Sequence, residues 1–296
     1  MRQISEIYIY PIKSLPGISV KNAVVTDKGF EHDRRWMLVD EHNSFITQRV
    51  YPQLTQLQVA IESNGLRITH RENKSTFTIP FNTTVTTDRE MVIIWDDICI
   101  GEYVSKEADD WFTQMLDIKC RLVYMPDDTR RIVDQRYAPG DSVTSFADAY
   151  PFLLIGQASL DDLNSRITEA LPMDRFRPNI VFTGGEPYEE DLIGHFTIAD
   201  IDFYGVKLCA RCVLTTINQE TAAKGKEPLK TLASYRQKNK KIYFGQNLIH
   251  KGDGTVSVGD ALQIISLNHE ERFMMPPEVK KAAPIDIDKT FGIIVK

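Results

Sequence analysis

Short runs of alternating apolar and polar residues dominate positions 1–100. Residues 4–10 alternate and stop at Pro11, which cannot extend a strand ladder. Runs at 19–26, 36–40, 54–61 and 66–70 repeat the pattern, and Ser63-Asn64-Gly65 sets a hairpin turn between the last two. Many short strands with closely spaced turns predict a barrel or sandwich. The period changes at 105–116, where Ala108, Trp111, Phe112 and Met115 recur on one helical face behind Ser105, a candidate N-cap. A strand at 121–125 follows. Residues 126–140 are polar and turn-rich, with Arg130, Arg131 and Arg136, and a domain boundary is expected there.

The second half mixes strands with short helices. Residues 152–155 read as a buried strand. Ser159-Leu160-Asp161-Asp162 predicts a helix start, with Leu160, Leu163 and Ile167 on one face. A strand at 180–182 follows Phe176-Arg177-Pro178-Asn179-Ile180. Pro228 can open a short helix through Leu232 and Tyr235. Residues 213–217, 241–244 and 261–266 read as strands. Gly252 and Gly254 hint at a nucleotide loop, but Ser257 stands where the last glycine is needed, so the stretch reads as a turn. The predicted class is mixed α/β and β-rich. It has a β-barrel-like domain over 1–125, a second β-barrel domain with a few flanking helices over 126–268, and an extension of unreadable role over 269–296.

Composition narrows the function. The apolar fraction of 42% and charged fraction of 26% are those of a soluble globular protein. A net charge of −6 with no long basic block gives nucleic acid nothing to hold. The first residues carry an acid inside a short apolar run, which argues against a signal peptide. No apolar run reaches the roughly 18 residues of a membrane span. Four cysteines with no regular spacing suit a reducing compartment, and cytoplasm is the expected location.

Chemistry concentrates at 207–217, K-L-C-A-R-C-V-L-T-T-I. A thiol is a metal ligand or nucleophile only as the thiolate, and Arg211 between Cys209 and Cys212 favours that form. A zinc ribbon would need a second ligand pair, which Cys99, Cys120 and the six scattered histidines do not supply. A thioredoxin-type pair needs a helix after the first cysteine, where a strand is expected. Two buried cysteines acting as small apolar side chains stay open as an alternative. Three further spots end strands with polar groups: Lys13-Ser14 after Tyr10-Pro11-Ile12, His32-Asp33-Arg34-Arg35-Trp36, and Arg177-Pro178-Asn179. Lys and Arg in loops are standard anion holders, although a single solvated charge is commoner. Asp33-Arg34 could form a local ion pair, and Trp36 reads as core.

Y-P-I-K-S, D-R-R-W-M-L-V-D-E, F-I-T-Q-R-V-Y-P-Q-L, F-A-D-A-Y-P-F-L-L-I, A-S-L-D-D-L-N, F-R-P-N-I, C-A-R-C-V-L-T-T-I-N, E-P-L-K-T-L-A-S-Y-R, F-G-Q-N and V-G-D-A occur in that order. From about residue 2 to 266 the chain resembles the MOSC family, in its branch with an N-terminal β-barrel domain. That branch includes amidoxime-reducing components and reductases of N-hydroxylated bases. The resemblance implies a molybdenum cofactor, a pterin dithiolene with one protein thiolate on the metal. By motif position the ligand is Cys212, and soft thiolates suit such a site. Lys13, Ser14, Arg34, Arg177, Asn179 and Arg211 would hold the cofactor, with backbone around Ala149 and Tyr150. Relatives often carry Ser at Ala210, so only a backbone contact is expected there.

The implied activity is reduction of hydroxylamines, amidoximes or N-hydroxylated nucleobases. A cofactor or sulfur carrier with a persulfide on Cys212, and a non-catalytic binding module, are the alternatives. No His or carboxylate in the motifs stands out as proton donor. Relatives with an added ferredoxin-like domain extend further than this chain. With Cys212 committed to molybdenum, the remaining cysteines cannot hold an iron–sulfur cluster. A separate redox protein is therefore expected as electron donor. Lys13, Arg34 and Arg177 are read as loop charges whose truncation should spare the fold.

Overall fold

The computed structural model describes residues 1–81 and 88–268, so the expected extension at 269–296 lies outside the described residues. The structure is β-rich, with α-helices at Lys106–Leu116, Gln157–Ser165 and Leu229–Ala233 among the described residues. A nine-stranded sheet forms the larger half. Its order runs Leu262–Leu267, Ile193–Ile198, Ile201–Arg211, Lys241–Lys251, Phe152–Gly156, Ile180–Thr183, Gln3–Ile9 and Ile18–Val20, with Gln237–Lys238 added beside Lys241–Lys251. Neighbours are antiparallel except Phe152–Gly156 and Ile180–Thr183, which run parallel. The helix Gln157–Ser165 joins that pair, as a parallel connection requires. The sheet thus draws strands from both sides of residue 125.

A second sheet orders Trp36–Val39, Arg121–Tyr124, Asp97–Tyr103 and Arg89–Ile94. Smaller sheets join Leu57–Glu62, Gly65–His70 and Thr76–Pro80, and Gly254–Ser257, Asn22–Thr26 and Gly29–Phe30. Two large apolar cores result. One packs Ile4, Ile7, Phe152, Phe182, Phe196 and Phe203, and the other Ile12, Trp36, Leu38, Leu66, Phe112 and Leu122. Each such buried side chain contributes about 1.5–3 kcal/mol. The chain crosses from the first core to the second between Ile9 and Ile12. Arg34 N donates to Tyr10 O at 2.8 Å, and Lys13 N to Trp36 O at 2.8 Å, which pins two polar loops side by side at that seam.

Several expected elements formed. Ser105 Oγ accepts from Ala108 N at 3.1 Å and caps its helix, and the 63–65 turn closes its hairpin with Glu62 opposite Gly65. Others differ for local reasons. The 19–26 run is two strands broken at Lys21, and 54–61 starts as the 3-10 helix Pro52–Gln56 because Pro52 favours a helical start. Ser159 is not an N-cap. The helix begins at Gln157 behind Gly156, and the Ser159 hydroxyl donates to buried Glu190 Oε2 at 2.7 Å. The predicted strand at 213–217 is a 3-10 turn over Val213–Thr216. Its threonine hydroxyls donate backwards, Thr215 to Cys212 O at 3.0 Å and Thr216 to Val213 O at 2.8 Å. Such local bonds compete with the extended ladder.

Candidate active site

A cavity of about 260 Å³ opens at the seam between the cores. Lys13, Ser14, Arg34, Ala149, Tyr150, Arg177, Asn179, Ala210, Arg211 and Cys212 all line it. Five separate chain segments therefore bring the sequence-predicted residues together. Tyr10 organises the first of them. Its buried ring lies under the guanidinium groups of Arg34 and Arg177, each 4.3 Å from the ring centroid, and its hydroxyl donates to Pro178 O at 2.9 Å. Gly17 packs on the same ring, and a Cβ there would come within 2.3 Å of it. Ser14, Arg34 and Arg177 hold positive φ values of 67°, 50° and 54°. Left-handed backbone at three cavity residues is stored strain of the kind found at functional sites.

Charge is arranged unevenly. Arg34 pairs with Asp33, which is 1% exposed and also accepts from Tyr10 N at 2.8 Å. Burial pushes the Asp33 carboxyl up from its ordinary range, and Arg34 opposes that. Asn179 Oδ1 accepts from Arg34 Nη1 at 2.9 Å and from Leu153 N at 3.3 Å, so its amide chiefly positions Arg34. Lys13 is buried and donates to Phe146 O and Asp148 Oδ1, both at 2.7 Å. Burial lowers its pKa to about 8, against the pull of Asp148. Asp148 keeps its side chain largely open to solvent. Burial of its surroundings would raise its carboxyl, but Lys13, Arg49 and Arg34 hold it well below the usual range. Desolvation lowers Arg177 to about 10. The expectation that these are free loop charges is corrected for Arg34, which is paired with buried Asp33, and for Lys13, which is itself buried and paired with the exposed Asp148.

The thiols differ in kind. Cys99 and Cys120 are buried, and desolvation raises both to about 11. Cys212 is exposed, directly after the Ile201–Arg211 strand. The reading of Cys209 and Cys212 as two buried apolar side chains therefore fails. Cys209 is half-buried, accepts from Arg211 Nη1 at 2.9 Å, and also lines the cavity. Alternation along a strand would send only one of two cysteines three positions apart to the site, yet both line the cavity. Cys212 lies outside the strand, so the two-residue period does not apply to it. Arg211 also donates to Phe176 O, and its Nε is buried without an acceptor.

Residues 1–119 match the MOSC N-terminal beta barrel domain, and residues 141–263 match the MOSC domain. The chain belongs to the MOSC family. Human mitochondrial amidoxime-reducing component 1 is 31% identical over 88% of this chain and 82% of its own length. Rat mitochondrial amidoxime reducing component 2 is 33% identical over 87% of this chain and 81% of its own. The rice molybdenum cofactor sulfurase is 30% identical over 88% of this chain, which spans 34% of that longer protein.

The MOSC cavity, lined by Lys13, Arg34, Arg49, Arg177, Lys207 and Arg211, suits an anionic group. Among the described residues no three His, Cys, Asp or Glu converge to form a metal site. Buried donors without acceptors, Arg211 Nε and the Tyr150 hydroxyl, belong to cavity residues and leave hydrogen-bonding capacity for a ligand. Arg49, Asp148, Lys207, Thr215 and Asn247 also line the MOSC cavity and were not singled out from the sequence. Arg49 sits inside F-I-T-Q-R-V-Y-P-Q-L, so its motif was visible while its side chain's destination was not. No described helix is long and apolar enough to cross a membrane.

Proposed function

We propose that this MOSC protein is a molybdenum-cofactor reductase of N-hydroxylated compounds, namely hydroxylamines, amidoximes or N-hydroxylated nucleobases. The observation that carries this is one exposed thiol, Cys212, opening into a cavity lined by Lys13, Arg34, Arg177 and Arg211. The cofactor, when bound, supplies two-electron oxygen-acceptor chemistry at molybdenum. Cys212 would be its protein ligand. Lys13, Ser14, Arg34, Arg177 and Arg211 would hold its anionic and pterin portions, with backbone at Ala149, Tyr150 and Ala210. Asn179 would act by fixing Arg34. Arg211, tied to Cys209 and Phe176, would keep the Cys212 turn in place.

The overall change balances as R–NHOH plus two electrons and two protons giving R–NH2 and water. The electrons would come from a separate small redox protein. The proposed division of the chain is 1–125 and 126–268, followed by the 269–296 extension, and the proposed location is the cytoplasm.

The test is molybdenum analysis of purified, cofactor-supplied protein beside turnover of benzamidoxime with a reduced dye. Bound molybdenum with amidine formation supports the reading. The sulfurase relative favours one alternative, a cofactor or sulfur carrier, which would give bound cofactor without turnover. Absence of molybdenum would overturn both.

A further inference from the structure

Of the cavity cations, Arg49 and Arg177 make neither an ion pair nor a side-chain hydrogen bond among the described residues, and Arg177 is already assigned to the cofactor. Lys13 and Arg34 are paired with Asp148 and Asp33, and Arg211 with Cys209 and Phe176. Lys207 lies 3.8 Å from Asp134 and 3.9 Å over the Tyr137 ring. Arg177 shares Tyr10 with Arg34. Arg49 makes no direct ion pair with any described residue, although its charge helps hold the Asp148 carboxyl ionised, and its Nε is buried without an acceptor. Its guanidinium carbon instead sits over an aromatic ring, 3.9 Å from the Trp95 ring centroid.

The support for that stack is costly to build. Trp95 occupies the two-residue turn between the strands Arg89–Ile94 and Asp97–Tyr103, with φ of 56°. Such turns favour Asn, Asp or Gly, because a bulky residue is strained there. Its indole also meets Phe45 at 4.9 Å, and its Nε1 donates to Asp148 Oδ1 at 3.4 Å. The Arg49 backbone is fixed from the other half of the molecule. Gln48 and Gln219 exchange amide hydrogen bonds at 3.2 and 3.1 Å, and Lys224 Nζ donates to Arg49 O at 3.5 Å. Trp95 and Val50 are 45% and 62% exposed, and Val213, next to Cys212, is 56% exposed. A fixed guanidinium without a direct ion pair, held on the exposed Trp95 ring, describes a subsite for a ligand with an apolar body and an oxyanion.

We propose that Arg49, held on Trp95, is a specificity subsite that binds a carboxylate or phosphate on the substrate. The role of the subsite as part of a reductase rests on the proposed function. Binding of the oxyanion does not.

The experiment compares cofactor-loaded wild type, Arg49→Gln, Arg49→Lys and Trp95→Leu. Each receives benzamidoxime against para-carboxybenzamidoxime, and N-hydroxycytidine against its monophosphate. Calorimetric titration with benzoate and with inorganic phosphate runs in parallel, beside molybdenum content and thermal unfolding. Arg49→Gln should lower the preference in kcat/KM for the charged substrate about ten- to hundredfold, mainly through KM, with molybdenum retained. Arg49→Lys should restore part of it, and Trp95→Leu should show a smaller loss. A fall confined to the carboxylate pair or to the phosphate pair identifies the ligand. An unchanged ratio overturns the subsite, and loss of molybdenum from Arg49→Gln assigns Arg49 to the cofactor instead. If wild type reduces none of the substrates, the functional reading fails and the titrations decide alone. Binding weakened at least tenfold in Arg49→Gln upholds the subsite, and absent or unchanged binding overturns it.

Discussion

The guanidinium groups of Arg34 and Arg177 share one support, the ring of Tyr10, each 4.3 Å from its centroid. Two like charges approach there because Tyr10 offers its ring and Asp33 neutralises Arg34. Their roles separate on truncation. Arg34→Ala leaves Asp33 buried without its cation, at a cost of about 3–5 kcal/mol. Arg177→Ala removes no ion pair. Both should lower molybdenum occupancy, but only Arg34→Ala should strongly lower the unfolding midpoint. Thermal unfolding beside metal analysis of both variants checks this, and equal midpoints would contradict it. Gly17→Ala should act on both arginines at once by pushing against Tyr10.

Cys212→Ala should abolish turnover and molybdenum binding. Cys209→Ala should keep molybdenum bound, since Cys209 serves as acceptor for Arg211. Losing that hydrogen bond to a charged donor should cost about 1.5–3 kcal/mol at most, read as a lower midpoint. Activity retained by Cys212→Ala would remove the ligand assignment.

Cofactor retention should depend on pH through Lys13. Its charge is present below about 8 and lost above it, because burial lowers its pKa. An anionic ligand beside it favours the protonated form, so binding takes up a proton as pH approaches and passes that value. Molybdenum occupancy after dialysis should fall between about pH 8 and pH 10. Lys13→Arg stays charged and should flatten the profile. A wild-type profile already flat across that interval would exclude Lys13.

Glu190 predicts a second pH effect, on stability alone. It is fully buried, and desolvation raises its carboxyl from 4.5 to about 8. The folded state therefore keeps a proton that the unfolded chain loses above its ordinary value. The stabilising contribution is complete below about pH 4.5 and declines up to about pH 8, by up to roughly 1.4 kcal/mol per pH unit. Glu190→Gln keeps an acceptor for Ser159 and should be the more stable protein at pH 8. Its advantage should shrink towards pH 5. Denaturant unfolding of both proteins at the two pH values measures the difference.

The sequence by itself determined the β-rich class, the Ser105 cap, the 63–65 hairpin and the cysteine pair with Arg211 between its members. These features are local. Each depends on residues a few positions apart, where periodicity and turn chemistry act directly. Motif order was also enough to name the ten residues that meet in one cavity. Only the tertiary structure decided how those residues are used. Arg34 is neutralised by buried Asp33, and Lys13 is desolvated beside Asp148 from a distant loop. Arg49 reaches the cavity without a direct ion pair, on a tryptophan from another hairpin. The 213–217 run looked extended because its residues are β-branched, yet threonine hydroxyls bonding backwards closed it into a turn and released Cys212 from the strand's alternation. Burial and pairing across the fold set charge and exposure, and neither is encoded by spacing along the chain.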